Sequence, residues 1–400
     1  MSNENEQTNQ QPSVGGAVPG DHKSSQVVEI KGDGTIRDVT QIIINPPATD
    51  RSTAAPLYLP AKVYHRFVGR WDQLDEVMSA LRTPKRKPIV ALVGLGGIGK
   101  TALARETVDL CQQERLFEHV VWRSFKTEHF ISEGTIKTEE VSYNFNELLN
   151  DIGRQCNRLD ITKMPSEQKH AAVKYLLATK PVLIVMDNLE SVPEAEREKL
   201  VADLFQILGK SKLLITSRHH IKHERVFTVE LRGFPEEEGV IFLREDSKER
   251  GISVVAQASR KHLVEIHDVT GGAPLAMKLV AGQMSRLPMM VVLDTLKQAS
   301  FKGPDYPLYR FIYQQSWQIL DMNGQMTLVD MSIFPPITGG AATHVQTMSQ
   351  LEPLNFWQAI NLLVTLSLVD KSGSAGQERF SLHSLTQYFV RSDITKEWAS

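Results

Sequence analysis

Apolar positions along the chain follow two rhythms. Four short stretches are apolar almost without a break: Ile89-Val90-Ala91-Leu92-Val93, Val120-Val121-Trp122, Val182-Leu183-Ile184-Val185-Met186 and Leu213-Leu214-Ile215. Between them the spacing changes to three and four. Leu74, Val77, Met78 and Leu81 share one helical face, as do Leu148, Leu149, Ile152 and Cys156, and residues 101–111 read as a helix after the first apolar run. A further helix is expected near Pro193, a residue tolerated in a first turn. Unbroken apolar strands alternating with helices predict a parallel sheet covered on both faces. Ligands of such sheets bind at the carboxyl ends of the strands.

Beyond Phe227-Thr228-Val229 the pattern turns helical, from residue 236 to about 300, with one break at Gly271-Gly272-Ala273-Pro274. Helices around 311–320 and 356–366 precede a β pair at 368–371 and 379–382, and a last helix runs from about 385 into 390. Helices followed by a small hairpin predict a winged-helix module. Upstream of the sheet the chain is different. Residues 1–26 are polar with almost nothing to bury and read as disordered. Residues 27–44 hold two β-rich runs around Gly32-Asp33-Gly34, a hairpin that would need a partner surface to be stable. Pro46, Pro47, Pro56 and Pro60 mark an extended linker, and residues 127–143 read as a polar excursion.

The chemistry concentrates where the first strand ends. Gly94-Leu95-Gly96-Gly97-Ile98-Gly99-Lys100-Thr101 lies between an apolar strand and a helix, the context a phosphate-binding P-loop requires. Glycines let the backbone N–H groups wrap phosphate oxygens, and the helix adds its positive end. Lys100 is expected to reach the β- and γ-phosphates and the Thr101 hydroxyl to ligate Mg²⁺. Gly94, Gly96, Gly97, Ile98, Gly99 and Ala102 complete the expected nucleotide contacts. Asp187 closes the third apolar strand, where an acidic residue holds the metal. Next to it stands Asn188, whose amide cannot accept a proton at neutral pH; Glu190, two residues on, is the carboxylate available in its place. Fast hydrolysis is therefore not expected. Arg218 ends the fourth strand after Thr216-Ser217, where a guanidinium can read a γ-phosphate; its blander role is an ion pair at the next helix. The expected catalytic set is Lys100, Asp187 and Arg218. Taken alone, Pro274 reads as a helix-start proline and His383 as a hydrogen-bonded structural histidine. His219-His220 and His223 lack the spacing of a zinc set and read as a solvated loop.

Totals narrow the choice. A length of 400 residues fits two to four domains. With 45 basic against 47 acidic side chains, the net charge of −2 carries no broad footprint for nucleic acid or a membrane surface. No run approaches the length of a membrane span, and the first residues lack a signal-peptide layout. Two distant cysteines, Cys111 and Cys156, give no disulfide framework, so a reducing cytoplasm is expected.

In their order, these residues resemble the NB-ARC branch of the STAND signal-transduction ATPases, the family of the apoptotic protease-activating factor and plant disease-resistance proteins. Phe67-Val68-Gly69-Arg70 resembles the family's N-terminal motif, which implies Phe67, Val68 and Arg70 at the adenine end. Gly94 to Thr101 is similar to its Walker A, residues 183–190 to its Walker B, and Thr216-Ser217-Arg218 to its sensor arginine motif. Gly271 to Ala276 resembles its Gly-x-Pro-Leu motif, which implies Pro274 against adenine. Leu382-His383-Ser384 resembles its winged-helix histidine motif, which implies His383 at the ADP β-phosphate of a closed state. Asn188 and Ser384 depart from the usual acidic residues. The resemblance implies an α/β fold: a P-loop NTPase parallel sheet (61–230), then an α-helical domain (231–305) and a winged-helix domain (306–400), preceded by the tail (1–26) and the hairpin with its linker (27–60). Neither a catalytic effector in residues 1–60 nor a repeat array after the winged helix is recognisable. The implied activity is an ATP/ADP switch with weak ATPase at most, which homo-oligomerises in its ATP state; the hairpin at residues 27–44 is expected to recruit an effector or to drive assembly. A winged-helix DNA-binding regulator and a housekeeping ATPase are the alternatives; against the first, residues 385–391 carry a single cation, Arg391.

Overall fold

The computed structural model describes residues 59–62, 64, 66–83, 87–125, 144–299, 306–335, 338–374 and 376–395. The expected tail, the hairpin and the polar excursion lie outside them. Helix α1 (Trp71–Arg82) buries the stripe Leu74, Val77, Met78 and Leu81. Strand β1 (Ile89–Val93) leads through the glycine loop into α2 (Lys100–Gln113), and β2 (His119–Ser124) follows. Next come α3 (Phe145–Gln155), the single turn α4 (Leu159–Thr162) and α5 (Ser166–Thr179). Strand β3 (Val182–Asp187) ends in a 3-10 turn, Leu189–Ser191, before α6 (Glu194–Ile207), β4 (Lys212–Ser217) and β5 (Val226–Glu230). Pro193 stands at the N-cap of α6, one place before its first turn.

These five strands form one parallel sheet in the order β2-β3-β4-β1-β5. The three central strands are buried along their whole length, while β2 and β5 at the rims are only partly covered. That is why the central strands read as continuous apolar runs. Their side chains alternate between two cores. Val90, Leu92, Leu183, Val185 and Leu214 face α1 and α2, whereas Ile89, Ala91, Ile184, Met186, Leu213 and Ile215 face α3, α5 and α6. Because β4 lies between β1 and β3, Arg218 emerges between the glycine loop and Asp187. Lys212 opens β4 with a buried cation. Its Nζ donates to the carbonyls of Ala80 (3.3 Å), Thr83 (2.7 Å) and Lys87 (3.4 Å), closing the carboxyl end of α1. Burial lowers its pKa.

The rest of the described chain is largely helical: α7 (Glu236–Glu249), α8 (Ser253–Ala256), α9 (Arg260–Thr270), α10 (Pro274–Gln283) and α11 (Met289–Ala299). After these come α12 (Tyr306–Ile319), α13 (Met322–Met331), β6 (Gly340–Ala341), α14 (Ala342–Ser349), α15 (Pro353–Thr365), β7 (Asp370–Ser372), β8 (Arg379–Ser381) and α16 (Ser384–Phe389), which continues as a π turn, Val390–Ile394. The three short strands form an antiparallel sheet in the order β6-β8-β7. Helices α13 and α14 and strand β6 exceed the expectation. Asn323 and Gly324 blur the pattern of α13, which the Asp321 side chain starts by accepting from Gly324 N at 2.9 Å.

Helix α10 is the pillar of this part. It is apolar nearly all round and buries Leu275, Ala276, Met277, Leu279, Val280 and Ala281. At its far end, a β-carbon on Gly282 would stand 2.7 Å from Leu366 Cα and 2.8 Å from the Thr365 carbonyl oxygen. Neither is the movable end of a side chain. Gly282→Val is accordingly expected to cost about 1–3 kcal/mol of stability through overpacking. The readout is a lower urea midpoint with an unchanged slope; an unaltered midpoint would show that α10 and α15 part easily.

Candidate functional site

Three strand ends build the site. Gly94 prolongs β1, its N–H donating to the Ser217 carbonyl at 3.2 Å. A β-carbon there would stand 2.4 Å from the Leu231 carbonyl oxygen, so neighbouring backbone requires this glycine. Gly97 has φ +73°, a conformation that side chains rarely adopt. Lys100 begins α2 and turns back over the loop, its Nζ donating to the carbonyls of Gly94 (2.8 Å) and Leu95 (3.0 Å). The buried Asp187 carboxylate uses one oxygen, Oδ1, to accept from two hydroxyls, Thr101 at 2.8 Å and Thr216 at 2.6 Å. Thr216 Oγ1 in turn accepts from Asn188 N at 2.9 Å. The carboxylate is thereby fixed in orientation directly beneath the first turn of α2.

Asn188 adopts a left-handed conformation, φ 60°, and the 3-10 turn after it brings Glu190 back towards the loop. Glu190 Oε1 lies 3.2 Å from Arg218 Nε. The partner of Arg218 is thus on the turn after β3, not on a following helix. Arg70 is buried and braces the glycine loop from its other side. Its Nη2 donates to the carbonyls of Ile98 (2.8 Å) and Arg232 (2.7 Å), and its guanidinium lies 4.7 Å from the centre of the Phe234 ring. Burial pushes its pKa down to about 10, which leaves it a cation at neutral pH. His383 caps α16, its Nδ1 accepting from Leu385 N at 3.2 Å.

One cavity gathers the expected residues. Phe67, Val68 and Arg70 line it, with Gly96, Gly97, Gly99, Lys100, Thr101 and Ala102 of the loop, Asp187, Arg218, Pro274 and His383. Two expected residues are not on its wall. Gly94 is packed against Leu231, and the Ile98 side chain belongs to the core while its carbonyl serves Arg70. Residues without a motif also line it. Tyr64 donates to Glu106 Oε2 (3.1 Å) and the Ala102 carbonyl (3.3 Å), and Phe234 and Phe242 pair with ring centres 5.2 Å apart. Only tertiary packing brings these in; the one local signal was the position of Tyr64, three residues before Phe67. The cavity therefore joins cations and an oriented carboxylate to flat apolar walls, which suits a polyanion linked to an aromatic base.

Comparison with known proteins agrees with this chemistry. A family model described as an AAA ATPase domain matches residues 66–216. A WD repeat-containing protein of Nostoc sp. is 22% identical over 92% of this chain and 30% of its own length. TMV resistance protein N of Nicotiana glutinosa is 21% identical over 70% of this chain and 24% of its own length. A probable disease resistance protein of Arabidopsis thaliana is 28% identical over 48% of this chain and 21% of its own length. The chain therefore spans less than a third of each of these relatives, 30% at most. Among solved structures, a Signal Transduction ATPase with Numerous Domains (STAND) protein with a tetratricopeptide repeat sensor, from Pyrococcus horikoshii, aligns with a TM-score of 0.55 at 18% identity, over 85% of this chain and 44% of that one. Among the described residues no helix is long and apolar enough to cross a membrane. An ATPase match across the glycine loop, resistance proteins among the sequence relatives and a fold shared with a STAND protein point the same way: residues 66–216 match an AAA ATPase domain, and the chain as a whole is similar to STAND-class P-loop ATPases.

Proposed function

We propose that this chain is a signalling switch set by whether ADP or ATP occupies the cavity, with slow hydrolysis at most. The observation that carries the reading is that one cavity takes its walls from the sheet, from the start of α10 and from the segment just after β8. Whatever binds there touches all three parts, so their arrangement and nucleotide affinity are linked. Lys100 meets the phosphates, Pro274 and the residues 67–70 flank the base, and His383 contacts the β-phosphate from the C-terminal part, which we read as a winged helix. The domains follow as 61–230, 231–305 and 306–400. In this closed arrangement the Leu275 N–H donates to the Gly97 carbonyl at 3.3 Å, tying α10 to the loop. ATP in place of ADP favours an open form that self-associates in the cytoplasm, with residues 27–44 as the contact for an effector. The two forms must differ in relative affinity for the two nucleotides, by about 10⁴-fold to turn the population over completely.

Thr101 and Asp187 suit a hard cation such as Mg²⁺, because both offer oxygen and one carries charge. Mg²⁺ supplies charge neutralisation on the phosphates when bound. Thr101 donates its hydroxyl proton to Asp187 and so keeps its lone pairs free to face the ion. Arg218 reports the γ-phosphate.

The mass of the protein in solution, measured with ADP and with a non-hydrolysable ATP analogue, tests the reading. A larger species with the analogue alone is expected, and equal masses in both would refute switching by assembly. His383→Ala is expected to speed ADP dissociation on the order of tenfold, the worth of one hydrogen bond to a charged group. An unchanged rate would remove His383 from the nucleotide site.

A further inference from the structure

We propose that Glu190 is the base of the slow hydrolysis, taking a proton from the attacking water, and that Arg218 positions it. The inference rests on ATP occupying the cavity. Asp187, Asn188, Glu190 and Asp370 are the carboxylate and amide side chains that line it. Asn188 carries an amide and cannot hold the proton. Asp187 Oδ1 already accepts the hydroxyls of Thr101 and Thr216, and in the proposed function the same carboxylate serves the metal. Asp370 belongs to β7, in the part of the chain that the proposed opening carries away from the loop. Glu190 differs from all three. Its side chain is 11% exposed, Oε1 faces Arg218 Nε at 3.2 Å, and Oε2 is buried with no hydrogen bond from any of the described residues. Burying an acceptor that way costs about 1–3 kcal/mol, so an acceptor left so in a residue that lines the cavity calls for a role.

Arg218 places that carboxylate through its other oxygen. Its Nε edge holds Glu190, and a β-carbon on Gly96 would stand 3.2 Å from its Nη2. One planar guanidinium thus spans from the carboxylate to the phosphate loop. Glu190 sits beside the loop because left-handed Asn188 turns the chain immediately after β3. In the step, a water oxygen bonds to the γ-phosphorus while Glu190 takes one of its protons. The bond from the γ-phosphorus to the bridging oxygen breaks, and its electron pair leaves with ADP. Glu190 then returns the proton to solvent, and ADP and inorganic phosphate are the products.

Single-turnover hydrolysis of radiolabelled ATP by the full chain, with ADP and ATP affinities measured in parallel, tests this. Glu190→Gln keeps the shape beside Arg218 but cannot take the proton. Its rate is expected to fall on the order of 10²-fold, with both affinities within about threefold of wild type, the scatter of a lost contact that does not touch the nucleotide. Adding Asn188→Asp to Glu190→Gln is expected to restore at least part of the rate. A Glu190→Gln rate equal to wild type overturns the proposal, as does a wild-type protein that hydrolyses nothing. A rate loss matched by an equal loss of ADP affinity also overturns it, since Glu190 would then only anchor Arg218. Should Glu190→Gln fail to fold, Glu190→Asp replaces it: a slower rate at kept affinity supports the base, and an unchanged rate refutes it. A wild-type protein that binds neither nucleotide would defeat the switch itself, whereas one that binds both while Glu190→Gln turns over normally defeats this inference alone.

Discussion

Lys100→Ala is expected to weaken binding of ADP and ATP on the order of 10²-fold or more. The ammonium group now rests on the Gly94 and Leu95 carbonyls at 2.8 and 3.0 Å. Two contributions are lost together. One is the only cation the glycine loop itself supplies to the phosphates. The other is the internal tie that draws the loop's first carbonyls inward and leaves its N–H groups facing out. Hydrogen bonds to charged groups are each worth about 1.5–3 kcal/mol, and two of them amount to two to four decades in affinity. The fold should survive, because Ile98 and Arg70 still anchor the loop from below. Titration calorimetry with each nucleotide, together with the nucleotide content of the purified protein, checks this. Lys100→Ala protein that still carries stoichiometric ADP would show that the loop is not the phosphate site.

Asp187→Asn should act on the metal and leave the fold alone. The amide oxygen can still accept from Thr101 and Thr216, so the hydroxyl network at 2.8 and 2.6 Å keeps its geometry and the melting temperature should hold. What disappears is a negative charge buried at the end of β3, where no solvent takes its place. Wild-type affinity for ATP is expected to drop when Mg²⁺ is chelated. In the variant, affinity with and without Mg²⁺ should be nearly the same, both close to the chelated wild-type value, a change of at least tenfold for the loss of one charged ligand. ADP affinity measured without metal should stay at the wild-type level. If the variant keeps its full response to Mg²⁺, Asp187 is a structural acceptor for the two threonines and nothing more.

How much of this was legible in the chain depends on how local each cause is. The central strands could be read because burial on both faces forces continuous apolar sequence, as in residues 182–186. The glycine loop could be read because wrapping an anion constrains every position in it. The meeting of Phe67, Lys100, Asp187, Arg218, Pro274 and His383 in one cavity followed from the order of six short motifs. Other features depend on which element lies beside which. Lys212 stands just before the apolar run 213–215, yet it closes the end of α1, a contact that no local pattern announces. Arg70 was implied at the adenine end. It does line the cavity, but its guanidinium is engaged by two backbone carbonyls brought together across more than a hundred residues. Glu190 was visible only as a nearby carboxylate; its pairing with Arg218 required β4 to lie between β1 and β3.

The tie between Leu275 and Gly97 has a mechanical consequence. Helix α10 is a strut of ten residues, about 15 Å long. One end hangs from the phosphate loop, and the other is wedged against the backbone of Leu366, with Gln283 bonded to the Ile312 carbonyl at 2.8 Å and Ser316 Oγ at 2.9 Å. A strut gripped at both ends transmits displacement instead of absorbing it. A shift of the loop is therefore expected to be felt at α12 and α15. On the proposed switch, the presence of one phosphate group becomes movement at the distant end of a rod.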